Sequence, residues 1–166
     1  MAYLLDANVF IQAKNLHYGM DFCPAFWDWL VREHAAGKLL SIAMVGDELT
    51  AGNDPLADWA LARGEGFFRQ PDPSVVPAIG NVSGWVTTQP QYEPAAVSTF
   101  LQQADHMVVA YALAHGHTVV THEKPENSRR IVKIPNPCLA LSVRYMTPFQ
   151  MLRHEQARFV LGNAAP

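Results

Sequence analysis

Four acidic residues stand where a chain of alternating strands and helices brings side chains together. They are Asp6 in YLLDANVFI (residues 3–11), Glu48 in VGDELTAG, Asp105 in ADHMVVAYALA and Glu123 in HTVVTHE. Carboxylates gathered in an apolar-walled cleft repel one another unless protons or a cation neutralise them. A hard divalent ion, Mg²⁺ or Mn²⁺, is the natural partner, because it prefers oxygen ligands and shares them with waters and a substrate phosphate. Such an ion lowers the pKa of a coordinated water and offsets charge on phosphate oxygens, which is the chemistry of phosphodiester hydrolysis.

Each acid also has an ordinary structural role open to it. Asp6 or Asn8 can cap a following helix. Asp47 and Glu48 suit a solvated first turn that the helix dipole favours, Asp105 the N-cap of a new helix, and Glu123 a loop. Singly none is diagnostic; their joint placement is.

The elements that must position them follow from the apolar pattern. Residues 2–5 (AYLL) form a wholly apolar run that reads as a strand buried on both faces, and the turn-like Asp-Ala-Asn after it leads into a helix. From Pro24, PAFWDWLVREHAAG sets Phe26, Trp27, Leu30 and Val31 on one helical face, with Pro in the first turn and Gly37 closing it. KLLSIAMV (38–45) reads as a second strand, followed by a short helix ending at Gly52. Helical fragments occupy PLADWALARG and PSVVPAIGNVSGWV in a middle section richer in Pro, Gly and Trp. PAAVSTFLQQADHMVVAYALAHG (94–116) reads as one or two packed helices, and HTVVT (117–121) as a β-branched strand. A polar loop, a short IVKI strand and a C-terminal helix around PFQMLRHEQARFVLG complete the chain.

Strands separated by helices, with runs too apolar for one-sided burial, imply an α/β sandwich on a mostly parallel sheet. Ligands of such folds bind beyond the carboxyl ends of the strands, where Asp6 and Glu123 are expected.

The 166 residues suit one ordinary domain, residues 1–166. Only 16% are charged, against about 25% in average soluble domains, so some apolar surface is expected to meet a partner, and a homodimer is one form of this. The net charge of -3, from 12 Lys and Arg against 15 Asp and Glu, gives no global attraction to polyanions; nucleic-acid contact requires a local basic patch. Lys124, Arg129, Arg130 and Lys133 supply one next to Glu123 and suit phosphates flanking a scissile bond. A solvated loop is the competing reading. Cys23 and Cys138 follow no metal-binding spacing and read as isolated thiols of a reducing compartment. The N-terminus does not read as a secretion signal, and no run approaches the ~18 apolar residues of a membrane span, so a cytoplasmic, membrane-free protein is expected. Trp27, Trp29, Trp59 and Trp85 are of a type that stacks unpaired bases, although their helical spacing favours the core.

YLLDANVFIQAKN, FWDWL, VGDEL, ADHMVVAYALAHGHTVVTHE and KIPNPC together resemble the PIN domain nucleases, and more narrowly the DUF4411 branch of PIN-like proteins, related to the VapC toxins of toxin-antitoxin systems. The resemblance spans nearly the whole chain and implies a three-layer α/β/α sandwich. By it, Asp6, Glu48, Asp105 and Glu123 match the four acids of the catalytic, metal-binding site. Asp47 rivals Glu48, which the family's Glu-Leu ending favours, and Glu123 stands where PIN domains more often carry Asp. Asn8 and Thr121 match small polar residues that orient the acids or their waters. Lys14 matches a lysine suited to a phosphate or to an acid.

The resemblance further implies a Mg²⁺- or Mn²⁺-dependent endoribonuclease that cuts single-stranded or looped RNA to leave a 5′-phosphate and a 3′-hydroxyl. A toxin's cognate antitoxin would occlude the acidic cleft, and in this branch the neighbouring protein includes helix-turn-helix regulators. The competing member of the same fold is a non-catalytic module that binds RNA or protein. Other hydrolases fit less well. A haloacid-dehalogenase-type phosphatase needs a second Asp where Asn8 stands, HEQAR at His154 lacks the second His of a zinc protease, and neither GNVSG nor RGEGFFR has the spacing of a nucleophile elbow or P-loop.

Overall fold

Leu4 and Leu5 are neighbours on one strand and so point to opposite faces, yet both have no solvent exposure. A strand in that state must be covered on both sides, and it is. The computed structural model describes residues 1–162, so that 163–166 of the expected domain lie outside the described residues. Strand β1 (Tyr3–Leu5) is the centre of a five-stranded sheet of order β3-β2-β1-β4-β5. Its neighbours are β2 (Leu39–Ile42) and β4 (Thr118–Val120), and β3 (Phe68–Arg69) and β5 (Tyr145–Met146) form the edges. Every pairing is parallel, with Tyr3 in register with Leu39 on one side and with Thr118 on the other. One continuous core runs from Leu4 to Leu152, and the expected α/β sandwich on a parallel sheet is the observed one.

The helices are α1 (Ala7–Gln12), α2 (Pro24–Ala35), α3 (Ala43–Thr50), α4 (Pro55–Phe67), α5 (Val75–Thr87), α6 (Pro94–Gln102), α7 (Ala104–His115), α8 (Pro135–Ala140) and α9 (Pro148–His154). In α2, Pro occupies the first turn and Phe26, Trp27, Trp29 and Leu30 are buried. Helix α7 is apolar on nearly every side, with Val108, Val109, Ala110, Tyr111 and Ala112 all buried, as befits a helix inside the molecule. Gly116, at φ 68°, takes the left-handed conformation that ends it. An extended residue, Gln103 (ψ 167°), separates α6 from α7, so the segment 94–116 is two helices and Asp105 falls in the first turn of the second.

Three expectations are corrected. IVKI is not a strand: Val132 and Ile134 are buried, but the chain there is a loop that Pro135 converts into α8, and the fifth strand is Tyr145–Met146. The second strand stops at Ile42, and Ala43 already begins α3. The last helix ends at His154, because Glu155 is drawn to the Tyr3 hydroxyl and the Lys38 ammonium, at 2.7 and 2.8 Å. Gln156 then turns at φ 54°, and Phe159 comes to rest against Tyr18, Phe26 and Trp29.

Candidate active site

Strands β1 and β4 lie side by side and run the same way, so the residues that follow them arrive together. Asp6 follows β1 and its backbone N–H continues the ladder to the Val120 carbonyl at 3.0 Å. Its carboxylate does two jobs. Oδ1 accepts the Ala7 N–H at 2.7 Å, capping α1, and Oδ2 accepts the Thr121 hydroxyl at 2.9 Å. Thr121, fully buried just past β4, also accepts from Asn8 Nδ2 and from the Glu123 N–H, each at 3.1 Å. A hydroxyl has one proton and two lone pairs to offer, and all three are used. Asn8 Oδ1 completes the junction by accepting the His122 N–H at 3.1 Å. The capping role open to Asp6 in the sequence is thus real, and it coexists with a place in a polar junction at the carboxyl ends of the two central strands.

Asp105 reaches the same region from α7. The two aspartates feel each other: burial, then the charge of Asp105 and that of Glu123, push Asp6 up to about 7, against the opposing hydrogen bonds from Thr121 and Ala7. Burial, then Glu123 and Glu48, push Asp105 up to about 6, with the Lys133 ammonium pulling the other way. The charge of Glu123 thus reaches both aspartates, and that of Glu48 reaches Asp105.

They do not sit in one open bowl. Asp6 is almost completely buried. Glu48 and Asp105 line a recess of about 310 Å³ with Met44, Gln103 and Ala104. Glu123 lines a cleft of about 420 Å³ with Asn8, Gln12, His122, Lys124 and Lys133 among its walls. One Glu123 oxygen, Oε2, accepts the Ile134 N–H at 2.7 Å and so ties down the loop that precedes α8. Asp47 faces elsewhere, into a recess shared with Ala60, Gly64 and Phe68, so that of the rival pair it is Glu48 that accompanies Asp105.

Of the basic residues, Lys124 and Lys133 line the cleft, while Arg129 and Arg130 are exposed and absent from its walls. Lys14 is engaged by Asp54 at 2.7 Å, across to the N-cap of α4. Trp27 and Trp29 are buried in the core, and Trp59 and Trp85 pack against it. The ring on the cleft wall is instead that of His122, packed against His17 and Phe149, which sequence reasoning passed over; Gln12 is a further unforeseen wall residue. Burial, and then the adjacent His17, hold the His122 pKa below its ordinary value. Cys138 is a buried free thiol pushed up to about 12 by burial and by the charge of Glu123, while Cys23 is a half-buried free thiol.

A five-stranded parallel sheet sheathed by helices, with acids beyond its central strands, defines an α/β sandwich with its candidate site at the carboxyl edge. The family model described as "Domain of unknown function (DUF4411)" matches residues 3–159, and the chain belongs to that family. Its fold is similar to that of a chain in the crystal structure of VapBC2 from Rickettsia felis bound to a DNA fragment from their promoter, with a TM-score of 0.54 and 14% identity, over 89% of this chain and 98% of that one. A search among curated proteins finds no match.

Proposed function

We propose that the protein is a divalent-metal-dependent endoribonuclease acting as the toxin of a toxin-antitoxin pair. The observation that carries this reading is the junction of Asp6, Asn8, Thr121 and Glu123 at the carboxyl ends of β1 and β4, with Asp105 close enough to raise the Asp6 pKa. The similarity in fold to a VapBC2 chain supports the toxin role and a cognate antitoxin as partner.

The donor set fits a hard cation. Asp6, Glu48, Asp105 and Glu123 offer only oxygens, and two of them are held in an environment that resists a second negative charge. Among the described residues, no three His, Cys, Asp or Glu side chains form a ready cage. Mg²⁺ commonly takes one or two carboxylates and leaves the rest of its shell to water and substrate phosphate. When bound, the ion supplies an activated water and charge neutralisation at the phosphate.

The chain's own residues do the remainder. Thr121 and the Ala7 N–H fix both oxygens of Asp6, so that it presents a set geometry, and Asn8 locks Thr121 in turn. Lys124 and Lys133, on the wall of the cleft, attract the phosphates on either side of the scissile one, an attraction that weakens with salt. Lys133 also steadies the Asp105 charge. Lys14, Arg129 and Arg130 lie outside the cleft wall and would contribute to phosphate binding only along an extended strand. No helix of the described residues is long and apolar enough to cross a membrane.

The test is to incubate the purified protein with total RNA in Mn²⁺, Mg²⁺ or chelator and to sequence the new 5′ ends. New 5′-phosphate ends should appear with metal and vanish in chelator, in Asp6→Asn and in Asp105→Asn. Equal cutting by both variants and the wild type would trace the activity to another site or a contaminant and overturn the assignment, and no cutting with either metal would leave a non-catalytic binding module as the reading of the fold. For the toxin role, expression alone should slow growth, and coexpression of the adjacent reading frame should restore it.

A further inference from the structure

His122, on the wall of the cleft, meets two further rings from separate elements. The His17 and His122 rings stack with centroids 5.4 Å apart and planes inclined by 29°. Phe149 stands edge-on to His17 at 5.0 Å and to His122 at 5.5 Å. All three side chains are half-buried, so the cluster is a surface feature and no part of the sealed core.

Its construction is specific. After α1 the chain takes one π-helical turn, Ala13–His17, closed by the Tyr18 N–H to the Ala13 carbonyl at 2.7 Å. Such turns re-aim the residues that follow them and recur at functional sites; here the last residue of the turn is His17. His122 is held by its backbone N–H on Asn8, inside the polar junction, and its side chain lines the cleft beside Glu123, Lys124 and Lys133. Phe149 is placed by the first turn of α9, which a Thr147/Gln150 capping box fixes.

A platform of π faces next to paired lysines and a carboxylate centre matches the chemistry of an unpaired nucleotide, whose base stacks while its phosphates meet the cations. We propose that His17, His122 and Phe149 form a base-stacking subsite that seats an unpaired nucleobase beside the scissile phosphate and so selects single-stranded over duplex RNA. The proposal rests on the nuclease reading above and specifies its substrate. A base inside a duplex is already stacked on its neighbours and cannot enter the platform.

The test uses a short single-stranded RNA carrying 2-aminopurine at one position at a time, titrated with the full chain in Mg²⁺ and observed before appreciable cutting. Stacking on an aromatic side chain quenches this base. One position should be quenched by the wild type, quenching should be lost in His122→Ala and Phe149→Ala, and it should persist in His122→Phe, which keeps a ring. Affinity for the single strand should fall about tenfold in the alanine variants, while the same sequence as a duplex shows neither quenching nor a difference between variants. Thermal melts of each variant separate loss of stacking from loss of fold, and Phe149→Leu supplies a second, milder truncation. If the wild type cuts RNA but quenches no position, or if His122→Ala and Phe149→Ala quench as it does, the subsite is wrong and the nuclease reading stands. If the wild type neither binds nor cuts RNA, both fall.

Discussion

The two ends of the sheet treat their acids in opposite ways. At the amino end, Glu155 is met by the Lys38 ammonium and the Tyr3 hydroxyl, which together hold its carboxyl below the usual range, and Lys38 also reaches Glu33 at 3.3 Å. At the carboxyl end, burial and the charges of Asp105 and Glu123 press Asp6 upward, while burial, Glu123 and Glu48 press Asp105 upward against the Lys133 ammonium. The first end is a fastening, in which every charge has its complement and the chain's last helix is clipped to its first strand. The second carries excess negative charge that the fold retains at a cost, and such uncompensated groups mark sites of chemistry more often than sites of support.

Abolishing the excess is the most damaging change for activity. Asp6→Asn or Asp105→Asn should lower metal-dependent RNA cleavage by roughly 10³-fold or more, read as initial rates on a labelled RNA, while the fold survives.

The two ends should next be separable by pH. In metal-free protein, a carboxyl whose folded pKa is raised binds more protons folded than unfolded; its native-state proton is an asset below pH 4 and is lost as pH climbs through about 6 and 7, the values for Asp105 and Asp6. Melting temperature in chelator should therefore fall between pH 5 and pH 8, and this fall should be smaller in Asp6→Asn. Added Mn²⁺ should reverse the fall by binding the folded state. Glu155 has the contrary signature: its contribution is present above its unfolded pKa and disappears as pH drops through its lowered folded value.

Thr121→Val is a gentler probe. It removes the hydroxyl from three hydrogen bonds while keeping the shape, and leaves Asn8 Nδ2 and the Glu123 N–H without that partner. Stability should drop by about 1–3 kcal/mol, and the pH below which cleavage fails should move upward because Asp6 loses a bond that favours its charged form. The smallest effect belongs to the amino end: Glu155→Gln should lower the melting temperature slightly and leave the cleavage rate unchanged. A large loss of activity there would erase the distinction between the two ends.

Much of this was legible in the residues because the signals were local. The apolar run before Asp6 and the β-branched run before Thr121 announce buried parallel strands, and the acids that follow them share an address for that reason. What was hidden depended on distant partners. Tyr145–Met146 is too short to carry a strand period of its own and pairs only because β4 is already in place. IVKI has strand composition but lies against Glu123 and Pro135, which make it a loop. The choice between Asp47 and Glu48 turns on the roll of α3, settled by its packing on the helices around it, and the stacked histidines meet across more than a hundred residues of chain.

The extended residue at Gln103 isolates the phase of α7 from everything upstream. Because that helix is locked by its own apolar sides, an extra residue at the extended Gln103 junction would leave its phase unchanged. One placed between Asp105 and Val108 would swing the carboxylate about 100° around the axis. The bearing of the carboxylate is thus indexed to the rows of Val, Ala and Tyr behind it, and the single extended residue is the point where length and phase come apart.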